Sequence, residues 1–177
     1  MVRVYTIGHA SRSIEEFVAG LRSYGVTLVI DVRRFPGSRR NPQFDAETLA
    51  AALDEHGIGY HHLSALGGRR SDVRTDSPNG EWENDSFQAY ADYALTDEFQ
   101  TALDELVTLA QNDVPAIVCA ETVYWRCHRR IIADWLLARG YEVSNIYDAD
   151  RADEHELTRF AEVSNGRVTY PADADES

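Results

Sequence analysis

The chain has 177 residues, and 44% of them are hydrophobic, which is enough for one globular domain with a buried core. Acidic residues number 30 against 17 basic residues, so the net charge is −13. No apolar run reaches the length of a membrane span, and the first residues lack a signal-peptide pattern. We therefore expect a cytoplasmic protein with no membrane partner. Two cysteines are too few for a disulfide framework.

The basic residues are all arginines, and the chain contains no lysine. A strongly acidic surface keeps a protein soluble in concentrated salt, and halophilic organisms use net charge in this way. We therefore expect a halophilic, archaeal source. Compositional bias from a GC-rich genome, which also favours arginine over lysine, is the alternative explanation.

Five short apolar runs predict β-strands, and segments with helical spacing of apolar residues lie between most of them. The predicted strands are 2–7, 27–30, 58–63, 116–119 and 143–147. A sixth, short edge strand is predicted at 167–170.

Capping residues mark the starts of the predicted helices. Ser13 with Glu16 forms a capping box, and Asp45, Asn84 and Thr96 each precede an amphipathic segment. A further helix follows the fourth strand and ends at Gly140.

Alternation of strands and helices predicts an α/β fold with three layers. We expect a mainly parallel sheet of about five strands with helices on both faces, in a single domain over residues 1–170. Residues 171–177 form an acidic C-terminal tail, and residues 64–85 lack periodicity and predict a long loop.

The segment 115–140 concentrates reactive side chains between a buried strand and a helix. Between them lie two thiols, a carboxylate, an imidazole and several guanidinium groups: Cys119, Glu121, Arg126, Cys127, His128, Arg129 and Arg130. In open α/β sheets, ligands bind at the carboxyl ends of the strands. The turns after the first, second and fourth strands should meet there, which brings His9, Asp31 and Arg33 to the same place.

Arginines are unevenly distributed along this acidic chain. Residues 33–40, 69–74 and 126–130 hold ten of them against a single acid, Asp72. Guanidinium groups match phosphate and carboxylate geometry bidentately, so these clusters predict a pocket for an anion. Solvent-exposed arginines that pair with the acidic surface are the alternative.

Several motifs resemble those of the domain-of-unknown-function 488 family. They are Thr6-Ile7-Gly8-His9, Asp31-Val32-Arg33 with Pro36-Gly37-Ser38-Arg39, Leu66-Gly67-Gly68, Cys119-Ala120-Glu121 and Cys127-His128-Arg129. The resemblance runs from Val2 to about Tyr170. It implies an α/β fold whose signature residues gather at one edge of the sheet, and it implies no particular activity.

Thiol, carboxylate and imidazole groups supply the candidate catalytic residues, which are Glu121, Asp31, Cys127, His128 and His9. A cysteine in the first turn of a helix beside arginines can have a lowered pKa and act as a nucleophile. A packed, inert thiol is the alternative for Cys127. Asp31 and Glu121 can either transfer protons or hold the arginines in place.

The candidate substrate-binding residues come from the same turns and from the resemblance. They are Thr6, Arg33, Ser38, Arg39, Gly67, Gly68, Arg69, Cys119, Trp125 and Arg129. His61 and His62 point to opposite faces of the third strand, so at most one of them reaches the site.

Aromatic residues accompany these turns, namely Trp82, Tyr90, Tyr93, Tyr124 and Trp125. Bases stack on aromatic faces, so arginine with aromatic side chains favours a nucleotide or nucleic-acid fragment. Core packing is the alternative for Tyr90 and Tyr93, and we expect it for one of the two.

Metals and cofactors are not expected. Cys119, Cys127 and His128, with His9 or Glu121, could ligate zinc, but their spacing is not that of paired Cys-x-x-Cys motifs. The chain has no G-x-G-x-x-G fingerprint and no Walker loop.

Three hypotheses about function remain open at this level. The first is a hydrolase or group-transfer enzyme acting on an anionic, nucleotide-like or nucleic-acid-derived substrate. The second is a non-catalytic module that binds such a ligand. The third is a thiol redox sensor that uses Cys119 and Cys127.

Overall fold

The computed structural model describes residues 2–33, 37, 40–68, 73–120 and 127–172. Within them, six strands form one sheet in the order β3-β2-β4-β1-β5-β6. These strands are β1 (Arg3–Gly8), β2 (Leu28–Asp31), β3 (Gly59–His62), β4 (Pro115–Cys119), β5 (Glu142–Asp148) and β6 (Arg151–Glu154). The first five are parallel to one another, which confirms the predicted mainly parallel sheet.

Helices cover both faces of this sheet, so the predicted three-layer α/β architecture is confirmed. The helices are α1 (Ile14–Ser23), α2 (Ala46–Glu55), α3 (Asp85–Tyr93), α4 (Asp97–Leu109) and α5 (Arg129–Ala138). Strand residues alternate between the two faces. Val29 and Val118 accordingly pack with α1 and α2, and Ile30 and Ile117 pack with α3, α4 and α5. None of the helices in the described ranges is long and apolar enough to span a bilayer.

The helix starts predicted from capping residues, those of α1 to α4, agree with the structure, and most of these caps are made by side chains. Ser13 and Glu16 form both halves of the capping box of α1. Asn84 and Thr96 accept backbone N–H groups of α3 and α4. Asp45 occupies the N-cap position of α2 but makes no side-chain cap hydrogen bond.

The segment after β5 differs from the prediction. β6 pairs antiparallel with β5 at the sheet edge, and its Arg-Ala-Asp-Glu sequence carries no apolar pattern that would reveal a strand. The predicted edge strand 167–170 is wrong as a member of this sheet. Instead, β7 (Glu162–Ser164) and β8 (Arg167–Thr169) form a separate hairpin. Asn165 and Gly166 at its turn have positive φ angles of 52° and 77°, the conformation that Asn-Gly turns favour.

A buried polar network ties this C-terminal segment to α5. The carboxylate of Asp134 accepts hydrogen bonds from Thr158 N at 3.1 Å, His155 Nε2 at 2.9 Å and Tyr170 Oη at 2.7 Å. The other ring nitrogen of His155, Nδ1, lies 3.2 Å from Asn145 Nδ2 on β5. Because Asp134 belongs to α5 and Asn145 to β5, this network joins α5 to the sheet and to the C-terminal segment.

A second carboxylate, that of Asp92 in α3, holds part of the predicted long loop. It accepts hydrogen bonds from Arg74 N at 2.8 Å, Ser77 Oγ at 2.6 Å and Asn79 Nδ2 at 2.7 Å. The part of the loop from residue 73 onward is therefore anchored to α3, although it contains no regular structure.

Candidate functional site at the strand ends

Three parallel strands deliver reactive residues to one edge of the sheet, as predicted. His9 follows β1, Asp31 ends β2 and Cys119 ends β4. The backbone N–H of His9 donates to the carbonyl of Cys119 at 2.9 Å, so the chain leaves β1 and β4 side by side. We use the name strand-end site for the described residues that gather here: His9, Asp31, Arg33, Cys119, Cys127, His128 and Arg129.

Asp31 and Arg33 form a buried ion pair on the side of α1 and α2. Asp31 Oδ1 accepts Arg33 Nε at 2.8 Å and Arg33 N at 3.1 Å, and Oδ2 accepts Arg33 Nη2 at 2.7 Å. The hydroxyl of Tyr60 on β3 also donates to Oδ2, at 2.6 Å. Burial acts to lower the pKa of Arg33, but the hydrogen bonds and charge of Asp31 outweigh it and raise that pKa. Arg33 is therefore a permanently charged group in a fixed position.

His9 is a buried neutral imidazole held against this pair. Its Nδ1 lies 2.8 Å from the carbonyl of Ala10, so Nδ1 carries the proton, and Nε2 accepts from Arg33 Nη1 at 3.3 Å. Its ring stacks on Phe44 with 4.5 Å between centroids. Burial lowers the pKa of His9; the hydrogen bond to Ala10 opposes this, and the charge of Arg33 adds to it.

On the opposite face, His128 has the reverse tautomer. Its Nε2 lies 3.3 Å from the carbonyl of Val32, so Nε2 donates. In the neutral ring Nδ1 is then an acceptor, and it faces Cys127 Sγ at 3.6 Å. A thiol beside an imidazole whose other nitrogen is oriented by a third group is the arrangement of nucleophile, base and orienting group.

Cys127 does not have the environment expected of a thiolate. The sequence predicted it in the first turn of α5, but it lies one residue before the N-cap, His128. Its exposed fraction is 4%, and burial raises its pKa well above the ordinary value; a hydrogen bond with Cys119 raises it further, while the charge of Arg129 lowers it. The thiol is therefore protonated at neutral pH, and a base such as His128 would have to remove its proton.

Arg12 is a residue of this region that the sequence analysis missed. Its Nε donates to the carbonyl of Gly8 at 3.0 Å and its Nη2 to the carbonyl of Tyr147, so it joins the ends of β1 and β5. Burial lowers the pKa of Arg12; Glu16 and Asp148 oppose this, and the charge of Arg129 adds to it. Arg129 itself has an exposed fraction of 1%. The position of Arg12 at the end of a parallel strand was the signal that could have revealed it.

The structure places Thr6 away from this group. Thr6 is fully buried on the α5 face of β1, where its hydroxyl donates to Asn145 Oδ1 at 2.5 Å. It therefore belongs to the polar network under α5. Gly67 ends a 3-10 turn at Ser64–Leu66, and its N–H donates to the carbonyl of Ser64.

The third strand resolves the question of its two histidines. His62 Nε2 lies 2.7 Å from the carbonyl of Arg33, so His62 supports the strand-end site. His61 Nε2 instead lies 2.7 Å from Glu105 on the surface.

The described aromatic residues are engaged in packing. Tyr90 is buried and donates to the carbonyl of Leu66, and the half-buried Tyr93 donates to the carbonyl of Ala65. Trp82 stacks with Phe87 at 5.1 Å and carries the Arg130 guanidinium over its ring at 5.2 Å. Among the described residues, no group of three His, Cys, Asp or Glu side chains is placed to hold a metal ion.

Five of the candidate residues lie outside the described residues: Ser38, Arg39, Arg69, Glu121 and Trp125. Their roles stay predictions.

Comparison with models of protein families identifies the family of this chain. The model of the domain of unknown function DUF488 matches residues 13–136, which is well over half of the chain. The chain belongs to this family. No curated protein and no solved structure matches significantly. The DUF488 match covers Asp31, Arg33 and Cys119 to Arg129; Thr6 and His9, which carried part of the resemblance, precede it.

Gly68 gives a direct test of how tightly the strand-end site is packed. A Cβ atom at this position would lie 2.6 Å from His128 Nδ1 and 2.9 Å from His128 Cε1. The ring cannot move freely, because Val32 binds it and Tyr90 packs on it at 4.8 Å. We expect Gly68→Ala to lower the free energy of unfolding by about 1–3 kcal/mol, measured by urea denaturation.

Gly20→Ala is the matched control for this substitution. Gly20 lies inside α1, and its nearest neighbour to an added Cβ is Ile7 Cδ1 at an ordinary 3.5 Å. Alanine is the better helix former by about 1 kcal/mol, so the control should be neutral or stabilised. Equal effects of the two substitutions would mean that the contact with His128 does not constrain position 68.

His9 predicts a pH dependence of stability. Its folded pKa is lowered, so the unfolded chain takes up the proton first as the pH falls below about 6.5. The contribution of neutral His9 is therefore complete above that pH and is lost as the pH falls toward the lowered folded value. We expect His9→Asn to flatten the slope of unfolding free energy against pH below about pH 6.5. The control, His56→Asn at an exposed position, should retain the wild-type slope. The same slope in both variants would contradict the prediction.

Proposed function

We propose that the protein is an enzyme that binds an anionic, phosphate-bearing substrate at the strand-end site and catalyses hydrolysis or group transfer. The observation that carries this proposal is the burial of two guanidinium groups, those of Arg33 and Arg129, after strand ends in a chain of net charge −13, with Arg12 close enough to Arg129 for that charge to lower its pKa. Guanidinium groups bind phosphate through paired, charge-assisted hydrogen bonds.

Two imidazoles support the catalytic part of the proposal. His9 and His128 are held in opposite tautomers, so each presents a defined donor and a defined acceptor. His128 Nδ1 is placed to accept the proton of the Cys127 thiol, or of a water that replaces it. Glu121, which lies outside the described residues, remains a proposed proton donor.

A nucleotide is the first substrate class to test. The chain offers arginines at the strand ends, while Trp82 and Tyr90 are occupied by packing. Stacking of a base would then depend on Tyr124 and Trp125, so the phosphate is the part of the ligand with the strongest support.

Thermal melts provide the test. We expect inorganic phosphate and nucleoside mono- and diphosphates, added at constant ionic strength, to raise the melting temperature, because a ligand that binds only the folded state stabilises it. A hundredfold excess over the dissociation constant corresponds to about 2.7 kcal/mol. Removing Arg129 should reduce the ligand-induced shift, whereas the exposed Arg159→Ala should leave it unchanged.

Because Arg129 is buried, its replacement can lower stability by itself. The quantity compared is therefore the ligand-induced shift and not the melting temperature. Arg12→Gln, at a half-buried position, should also reduce the shift while disturbing the core less. If no anion moves the melt, or if Arg129→Ala and Arg159→Ala respond alike, the strand-end site is not an anion site.

A non-catalytic binding module is the second candidate, and the geometry of Asp31 favours it. Both carboxylate oxygens of Asp31 are engaged by Arg33 and Tyr60, so this residue holds the site together and has little capacity for proton transfer. Phosphomonoester and phosphodiester substrates that stabilise the protein but are not turned over would decide for the module.

A further inference from the structure

The chain contains two Asn-Gly sequences, and the structure places them in opposite environments. Asn165-Gly166 forms the turn of the β7–β8 hairpin, and both residues are exposed. Asn79-Gly80 lies in the loop that Asp92 anchors, and Asn79 is fully buried. In an Asn-Gly sequence the backbone nitrogen of glycine attacks the preceding side-chain amide readily, because glycine carries no Cβ atom to hinder the approach. The two sites therefore share one chemistry and differ in their surroundings.

The hairpin turn restrains Asn165 only weakly. A Cβ atom at Gly166 would meet no heavy atom of the described residues within 4 Å, so the turn is open on that side. The strands that flank the turn have three residues each. A two-stranded hairpin is marginally stable by itself, so this turn can open locally and bring Gly166 N to Asn165 Cγ.

The amide of Asn79, in contrast, is held at both ends by hydrogen bonds. Its Nδ2 donates to Asp92 Oδ1 at 2.7 Å, and its Oδ1 accepts from Tyr170 N at 2.9 Å. A Cβ atom at Gly80 would lie 3.2 Å from Ala172 Cβ, so this turn is closely packed. Attack by Gly80 N on Asn79 Cγ would break both hydrogen bonds in a buried place. The fold therefore protects this site.

We propose that Asn165 is a site of spontaneous deamidation, which converts it to aspartate or isoaspartate through a succinimide, and that Asn79 is protected from the same reaction. Hydroxide removes the proton of Gly166 N, and this nitrogen forms a bond to Asn165 Cγ. The side-chain nitrogen takes up a proton from the solvent and leaves as ammonia. Water then opens the ring. Addition at Cγ gives aspartate, and addition at the main-chain carbonyl carbon gives isoaspartate.

Either product changes the end of the hairpin. Both add one negative charge to a chain whose net charge is −13. In isoaspartate the main chain runs through the side-chain carbon, which lengthens the turn and should disturb the pairing of Ser164 with Arg167. The next residue, Val168, is fully buried, so the change occurs beside the core. This inference goes beyond the proposed function and does not depend on anion binding.

Peptide mass spectrometry, after incubation of the native protein at mildly alkaline pH, tests the proposal. Trypsin cleaves after Arg159 and Arg167, so peptide 160–167 reports on Asn165. Asn79 lies in peptide 75–126, where fragment ions identify the converted residue. Each conversion replaces an amino group by a hydroxyl and raises the mass by about one dalton. We expect conversion at Asn165 to exceed that at Asn79 by about tenfold or more, because the buried site reacts only through much rarer opening.

Two controls separate the chemistry from the fold. In urea both Asn-Gly sequences are exposed, so Asn165 and Asn79 should convert at similar rates. Asn165→Gln should abolish the mass change of peptide 160–167, because glutamine has to close a larger ring and reacts far more slowly. Methylation by a protein isoaspartate methyltransferase should label the incubated native protein and should label this variant much less.

Two results would overturn the proposal. One is a native protein whose peptide 160–167 stays unmodified while the same chain in urea is converted there. The other is equal conversion of Asn165 and Asn79 in the native protein. No ligand takes part in these measurements, so failure of deamidation and failure of anion binding are distinguishable.

Discussion

Asp134→Ala should be the most destabilising single substitution at a polar residue outside the strand-end site, lowering the free energy of unfolding by about 3–5 kcal/mol. The carboxylate is fully buried and accepts three hydrogen bonds, from Thr158 N, His155 Nε2 and Tyr170 Oη. Alanine would leave all three donors buried without their acceptor. Burial and the charge of Asp134 raise the pKa of Tyr170, so that hydroxyl keeps its proton and needs the acceptor across the accessible pH range.

Urea denaturation measures this effect, and Asp104→Ala is the matched control. Asp104 lies on the surface of α4, where it pairs with Arg139 at 2.6 Å and has a side-chain exposed fraction of 67%. Exposed pairs contribute about 0–1 kcal/mol, so the control should retain nearly all of its stability. A loss of less than about 1 kcal/mol for Asp134→Ala would show that the C-terminal segment is held mainly by its apolar contacts.

The sheet could be predicted because its strands are apolar and its helices carry caps. β2 and β4 are buried along their whole length, so their composition alone marks them as central parallel strands. β6 was missed because an edge strand needs few apolar residues, and three of its four residues are charged. The Asn165-Gly166 sequence is typical of a hairpin turn. It indicated that β7 and β8 pair with each other and do not form an edge strand of the main sheet.

The polar network under α5 could not be predicted from the sequence. Asp134 lies on an amphipathic helix, where a carboxylate normally faces solvent. It is buried because His155, Thr158 and Tyr170 return to α5 from a segment that shows little periodicity. Thr6 was assigned to the site for a related reason: its motif ends at the strand edge, but alternation along β1 directs its side chain toward Asn145.

The location of the candidate site could be predicted from the sequence, but only some of its contacts could. The carboxyl ends of parallel strands lie at one edge of the sheet, so His9 and Arg33 were expected to be neighbours. His9 Nε2 lies 3.3 Å from Arg33 Nη1. The ion pair between Asp31 and Arg33, which are two residues apart in the chain, depends on the path that the backbone takes after β2. It also depends on Tyr60 of β3, which donates a hydrogen bond to Asp31. The burial of Cys127 depends on the residue at which α5 begins. We expected Cys127 to lie in the first turn of α5, but the helix begins at Arg129.

Asp31 and Arg33 give the second large expected effect. Asp31→Ala would leave the Arg33 guanidinium, which has a side-chain exposed fraction of 8%, without the carboxylate that neutralises it. Breaking one partner of a buried ion pair lowers the free energy of unfolding by about 3–5 kcal/mol. Replacement of both partners by apolar residues is often close to neutral, because the desolvation of both charges is removed as well. We therefore expect Asp31→Ala/Arg33→Met to be clearly more stable than Asp31→Ala alone, although it carries one substitution more.

Chemical denaturation of the two single variants and the double variant completes the cycle. Asp76→Ala, which breaks the exposed pair between Arg74 and Asp76, is the control and should leave stability unchanged. The double variant also separates stability from ligand binding, because a folded protein that lacks Arg33 should show a smaller phosphate-induced shift than the wild type. Additive effects, with the double variant less stable than either single one, would mean that Asp31 stabilises the fold through Tyr60 or the β2 backbone and not through the charge of Arg33.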